Sequence, residues 1–286
     1  MAALLCLLLL AGCSASDGAA KVSNDSEVLF SGKGVSYTKG KLYNTLKSYD
    51  YSSFLFYDMV YKCAEADGED LSSYEEEANA TIDMYKAMYG DDIMDGYGGE
   101  DVFRRMLMMD GFVSDKTTAY VEERLDDYAK EDLPILAKLA YFDSEEAANN
   151  VVAAVNEGST FEMAAAENGY TLQVQDTIYI DSSDVLPLTV KEYVNTSTEN
   201  GLSPVLVSMT STTDSEGKTV ETPRYYLIYI TSRDVNEFHD QYVSLKASGV
   251  DTNEVVKTQI FADHKISFYD QEVMDFMKEK YPGVFD

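Results

Sequence analysis

Histidine is almost absent from this 286-residue chain, which holds two, His239 and His264. No H-E-x-x-H, C-x-x-C, G-x-S-x-G or G-x-x-x-x-G-K segment occurs, so zinc-protease, dithiol, nucleophile-elbow and phosphate-loop chemistry have no carrier. Basic residues are few: 22 against 51 acidic ones, a formal charge of -29. Such a balance repels nucleic acid and anionic headgroups, and nucleic-acid binding is set aside. The acidic clusters Asp91-Asp92 with Asp95, and Asp67 with Glu69-Asp70, lack the alternating ligands and closing Glu of a calcium loop. They read as solvated surface, and neither a metal nor a cofactor is expected. Cysteine is scarce too: of Cys6, Cys13 and Cys63, only Cys63 lies in a helical pattern. It is expected to be a small core residue with no disulfide partner.

What is present begins with an apolar run, MAALLCLLLLAGC, too short to span a bilayer, which takes roughly 20 residues. It is a signal segment. Leu10-Ala11-Gly12-Cys13 resembles the lipobox of bacterial lipoproteins, which implies cleavage before Cys13 and diacylglyceryl attachment to its sulfur. Two acyl chains anchor a protein stably, so the expected location is the outer face of a bacterial cell membrane. Residues 13–27, rich in Ser, Asp, Ala and Gly, read as a flexible stalk.

Apolar residues then recur at helical spacing through residues 28–133. VLFSGKGVSY is a short strand or extended arm, and Thr38 is placed to cap the helix that follows. Leu42, Leu46 and Tyr49, then Leu55, Met59 and Cys63, mark two amphipathic helices. Tyr74, Ala78, Ile82, Tyr85 and Met88 form the stripe of a third, and EDVFRRMLMM and SDKTTAYVEERLDDYAK predict further helices. Pro134 changes the texture. ILAKLAYF has the length and bulk of a strand, Asp143 or Ser144 caps the next helix, and Ser159-Thr160-Phe161-Glu162 is a capping box for another. TLQVQDTIYI alternates like a half-buried strand, LPLTVKEYV is one short helix, and PVLVSM and RYYLIYITSR are a closing strand pair. Their connection, TSTTDSEGKTVETP, reads as a long exposed loop. After Asp234 the chain returns to helix, weakly in VNEFHDQYVSLKASG and strongly in YDQEVMDFMKEKYPGVF.

The order and several segments resemble the PrsA foldases, extracytoplasmic lipoproteins in which a parvulin-type prolyl isomerase domain is inserted into a SurA-like helical chaperone domain. The likeness rests on YTKGKLYNTLKSYDYSSFLFYDMVYK, AKLAYFDSEEAANNVVAAVNEGSTFEMAAAENG, NGLSPVLVS with RYYLIYITSR, and HKISFYDQEVMDF, whose strand-like start leads into a last helix. It implies an α+β chain: signal peptide 1–12, stalk 13–27, helical chaperone domain 28–133, parvulin-like domain 134–234, and a tail 235–286 packing back on the helices. A parvulin places one histidine in its opening strand and one in its closing strand. Here those positions fall near Leu139 and at Tyr226, and neither is histidine. The resemblance therefore implies a foldase or holdase that binds unfolded or exported polypeptides by transient apolar contact, with candidate contacts at Tyr57, Met59, Tyr85, Met88, Phe103 and Met106. A divergent but active peptidyl-prolyl isomerase is the alternative. A solute-binding lipoprotein would need two lobes of alternating strands and helices, and residues 38–130 carry almost no strand signal. Clients, oligomeric state and host are not legible.

Overall fold

The computed structural model describes residues 22–32, 35–47, 51–170, 172, 174–182, 185–213, 217, 219–262 and 264–285. The expected signal segment and Cys13 lie outside them. Among the described residues no helix is long and apolar enough to cross a membrane. The chain divides into two compact units, residues 1–120 with 248–286, and residues 121–247.

The first unit opens with an antiparallel hairpin of β1 (Val28–Gly32) and β2 (Val35–Thr38). Thr38 caps α1 (Lys39–Leu46), its Oγ1 accepting from the Lys41 amide at 3.3 Å. α2 (Ser52–Asp67) buries Phe56, Val60, Cys63 and Ala64, at the three- and four-residue steps that bring side chains onto one helix face. Gly68, at φ +73°, ends it in the left-handed region that a Cβ would oppose. α3 (Ser72–Tyr89) buries Ala78 and Ile82. Met88, expected on that stripe, is 56% exposed instead. The reason is the 3-10 turn Asp91–Tyr97, which folds back so that Ile93, Met94 and Tyr97 fill the space against Ile82 and Tyr85 and leave Met88 outside.

The helix expected over residues 100–109 and the first part of the one expected over 114–130 form a single helix, α4 (Glu100–Glu122), and the rest of the second falls in the next helix. Gly111 lies inside α4, and a Cβ there would sit 3.1 Å from Tyr74 Cδ1. This glycine gives α3 room to approach, which offsets its low helix propensity.

The second unit begins with α5 (Leu125–Asp132) and β3 (Ile135–Phe142). Ser144 caps α6 (Glu145–Asn156) by accepting from the Ala147 amide at 3.2 Å. α7 (Phe161–Glu167) corrects the expected capping box: Thr160, not Ser159, is the cap, and its Oγ1 accepts from the Met163 amide at 3.3 Å. Glu162 is thereby released to pair with Lys138 of β3. Among the described residues of TLQVQDTIYI, the expected strand forms as β4 (Thr177–Tyr179). α8 (Leu188–Thr196) and the short β5 (Gly201–Leu202) follow.

β6 (Leu206–Thr213) and β7 (Thr219–Ser232) run well into the stretch expected to be loop. Their register continues from Leu206↔Tyr226 out to Thr213↔Thr219. Thr210, Thr212, Val220 and Thr222 are β-branched, and such side chains favour a pleated ribbon even where it is polar. The sheet order is β4-β3-β7-β5, with β6 also on β7, and every pairing is antiparallel. A 3-10 turn (Val235–Phe238) and α9 (His239–Ala247) complete the unit.

This unit is wider than the expected 134–234, because a buried polar contact ties its two ends. Asp132 Oδ2 accepts from Tyr242 Oη at 2.6 Å and pairs with Lys246 Nζ at 2.8 Å. Among the described residues the buried side-chain polar atoms without such a partner are Thr189 Oγ1 and two nitrogens of Arg233. Arg233 Nε and Nη2 are shielded from solvent and donate to no acceptor, and burial lowers the guanidinium pKa. Unpaired buried donors cost about 1–3 kcal/mol. Arg233→Met, which keeps the aliphatic stem, is expected to raise stability by about 1–2 kcal/mol, measured as a higher urea midpoint of the second transition.

The tail returns the chain to the first unit through α10 (Val250–Ala262), not foreseen in the sequence, and α11 (Gln271–Lys280). The piece between them, expected to be strand-like, forms no strand over its described residues. Phe261, Met277 and Val284 join Phe56, Val60, Cys63, Met109 and Phe112 in one core, with Val273 and Phe276 packed on its edge. Asp270 caps α11 through the Glu272 and Val273 amides, while its Oδ2 accepts from Tyr43 of α1 and from Lys47, the residue that ends α1, at 3.1 and 3.2 Å.

Candidate functional site

Successive strand residues point to opposite faces, so the two faces of the second unit's sheet differ. On one face Ala140, Phe142 and Leu227 pack with Ala148, Val151, Phe161 and Ala164 of α6 and α7. On the other, Ile135, Ala137, Ile228 and Ile230 pack with Val190 and Val194 of α8. Beyond α8 this second face opens, and Leu139, Tyr141, Tyr193 and Leu206 are only half-buried there.

The structure brings together the two positions singled out for isomerase chemistry. β3 and β7 pair with Leu139↔Ile228 and Tyr141↔Tyr226, so Leu139 and Tyr226 are diagonal neighbours on this open face. Tyr141, which the sequence reading passed over, stands directly opposite Tyr226, with ring centroids 5.9 Å apart. Its signal was there: residue 141 shares the face of 139 by the two-residue period. The Arg224 guanidinium lies 4.4 Å from the Tyr141 ring centroid and Tyr170 meets the same ring edge-on at 5.7 Å. Tyr225 and Tyr229 belong to the opposite face.

The chemistry of this face is aromatic and cationic. Leu139 has no polar atom, and the phenols offer single hydroxyls as hydrogen-bonding groups. Neither histidine contributes. His239 Nδ1 contacts its neighbour Asp240 at 2.9 Å on α9, and His264 Nε2 contacts Asp67 at 3.1 Å in the other unit. Among the described residues no group of three or more His, Cys, Asp or Glu is placed to hold a metal ion.

The first unit carries a separate apolar groove of about 280 Å³ between α2 and α4, lined by Tyr51, Phe54, Leu55, Tyr57, Val102 and Met106. Tyr57 donates to Asp110 Oδ1 at 2.8 Å; burial first, and this bond second, raise its pKa far above the usual phenol value. The rim carries an ion pair, Asp58 Oδ1 to Arg105 Nε at 3.3 Å. Of the six contacts expected from the sequence, the groove unites Tyr57 and Met106. Met59 packs against the core, Tyr85 and Phe103 belong to the small cluster around Ile82, and Met88 stands in solvent. The groove also recruits Tyr51, whose ring lies 4.6 Å from Phe276 of the tail.

No family model matches the chain, and no curated protein matches its sequence. Solved structures do. The chain resembles PrsA foldases. Foldase protein PrsA from Streptococcus pneumoniae str. Canada MDR_19A is 16% identical, with 89% of this chain and 100% of that chain covered and a TM-score of 0.44. The PrsA peptidylprolyl isomerase from Bacillus cereus is 15% identical, with 89% and 98% covered and a TM-score of 0.44. PrsA from Bacillus subtilis is 15% identical, with 89% and 99% covered and a TM-score of 0.36.

Proposed function

We propose that this protein is a chaperone for exported polypeptides, tethered through Cys13 to the outer face of a bacterial membrane. Its helical unit holds unfolded segments by transient apolar contact. The observation that carries this reading is the groove between α2 and α4, a trough walled by aromatic and aliphatic side chains with Met106, with room for a few side chains and with the Asp58–Arg105 pair at its rim. Methionine and aromatic walls adapt to varied apolar partners, as a holdase requires. The second unit is a parvulin-like domain whose substrate face has lost its chemistry. An X-Pro bond exchanges over tens of seconds or more, across a barrier of about 18–20 kcal/mol for peptide bonds in general. Leu139, Tyr141 and Tyr226 supply contact there and no histidine pair.

The test uses the chain from residue 13 with Cys13→Ser, so that it is free of lipid. It should suppress aggregation of a reduced, unfolded model client, and Tyr57→Ser with Met106→Ser should weaken that suppression about tenfold, the equivalent of roughly 1.4 kcal/mol. Excess protein should leave cis-to-trans exchange of an Ala-Pro peptide unchanged. An acceleration that survives repurification and disappears in Tyr226→Phe would establish an active isomerase, and suppression untouched by the groove variant would place client binding elsewhere. In cells, Cys13→Ser should shift the full chain out of the membrane fraction or leave it unprocessed.

A further inference from the structure

A cavity of about 540 Å³ lies between the end of α10, residues 265–268, α11 and the last residues of the chain. All of its walls belong to the helical unit. Phe261, Phe268 and Phe285 make one side, with ring centroids 5.2 Å apart for Phe261 and Phe285 and 5.4 Å apart for Phe268 and Phe285. Ile266 and Met274 extend the apolar lining. Small-molecule sites have this form, a volume of about 300–1,000 Å³ with mostly apolar walls and a few polar groups.

The charged groups in this lining are lysines alone. Lys265 and Lys278 border the cavity and no Asp or Glu does, against the balance of a chain with 51 acidic and 22 basic residues. Lys278 lies four residues after Met274 on α11, so the two share a helix face. Lys265 is held at φ +48°, a left-handed conformation uncommon for a lysine, and such outliers cluster where a structure clamps a ligand. Elsewhere the cations are matched: Lys47, Lys62, Lys86, Lys116, Lys138 and Lys246 each pair with a carboxylate. The carboxylates of the tail are engaged away from the cavity. Asp270 and Glu272 hold Lys47, and Asp275 accepts from Gln271 at 2.7 Å. Among the described residues, Lys265 and Lys278 have no carboxylate within ion-pair distance.

We propose that this cavity binds a free fatty acid, its tail against Phe261, Phe268 and Phe285 and its carboxylate between Lys265 and Lys278. Each half of such a molecule answers one half of the lining: the rings remove the tail from water, and the two ammonium groups meet a single negative charge. An alcohol of the same length lacks the charge, and a short acid lacks the tail. A whole anionic bilayer is a poorer match, because it faces the formal charge of -29 on the chain and not the two lysines alone. The cavity is separate from the α2–α4 groove, and this assignment does not depend on the function proposed for that groove.

The test titrates decanoate, below its micelle concentration, into the chain from residue 13 with Cys13→Ser and methyl-13C methionine. Met274 should shift first, and Met106 should not move. Decanol should bind at least about tenfold more weakly, butyrate likewise, and decylammonium not at all. Affinity for decanoate should fall about tenfold in Lys265→Gln with Lys278→Gln, and an unchanged melting curve confirms that this variant is folded. Vesicles of phosphatidylglycerol should leave Met274 unmoved. Equal affinity for decanol and decanoate, a comparison that needs no variant, would mean an unselective apolar surface and overturn the proposal. Undiminished binding by the folded lysine variant, or shifts led by Met106, would overturn it as well. A Met274 response to vesicles without one to decanoate would overturn it in favour of a lipid surface.

Discussion

Ending the chain at residue 247 is expected to leave the helical unit insoluble. The tail supplies Phe261, Met277 and Val284 to the same core as Phe56, Val60 and Met109, and Met277 has no exposed surface. Truncating one such residue, Met277→Ala, costs about 2–5 kcal/mol, a large share of the roughly 5–15 kcal/mol that stabilises a domain. Removing α10 and α11 altogether uncovers the apolar faces of α2 and α4, which α1 and α3 do not replace, and a large exposed patch of that kind drives association. Replacing residues 121–247 by a short Gly/Ser linker should be far milder, since that unit has its own clusters around the sheet. Solubility and circular-dichroism melting of the two deletions decide the matter. A soluble chain of residues 13–247 whose helical unit melts as in the full chain would show that the tail is not part of this core.

Asp132→Ala is expected to cost the second unit about 3–5 kcal/mol, the range for breaking a buried ion pair from one side. Asp132 is 7% exposed and satisfies Tyr242, which is fully buried, and Lys246 through one oxygen. Without it both are left unpaired, although Lys246 keeps its place 4.6 Å above the Tyr128 ring. Tyr242→Phe removes only the hydroxyl and should cost about 1–2 kcal/mol. Denaturant midpoints of the two variants and of their double variant measure the coupling. A cost near zero for Asp132→Ala would mean that packing alone holds α5 to α9.

How much of this was legible in the sequence follows the reach of each interaction. Local signals were read well. Thr38 and Ser144 cap where their side chains reach amides three residues on, and Leu55, Met59 and Cys63 marked the right helix, although its buried face runs one residue over, through Phe56, Val60, Cys63 and Ala64, and leaves Leu55 and Met59 at the edge. The capping box missed by one residue because Glu162 has a stronger partner in Lys138, brought beside it by the sheet. The role of Gly111 was not legible because its neighbour, Tyr74, is 37 positions away in the chain and adjacent only in the fold. The β6–β7 ribbon was taken for loop since its residues are polar and its order comes from cross-strand pairing. The open sheet face was half seen: Leu139 and Tyr226 were identified by analogy, and register alone adds Tyr141. The groove between α2 and α4 could not be read from composition, which marks Met88 and Met106 alike while the fold exposes one and sets the other in a wall.

The packing of Cys63 gives the helical unit a built-in clock. In the chain from residue 13 with Cys13→Ser, Cys63 is the one cysteine, and it is 3% exposed in the core that Phe261 and Met277 complete. Burial, and after it the charge of Asp67, raise the thiol pKa, so it resists modification while that core is closed. A thiol reagent in native buffer therefore reacts only when that core opens, and where reclosing is faster than reaction, the labelling rate divided by that of a free thiol gives the free energy of opening.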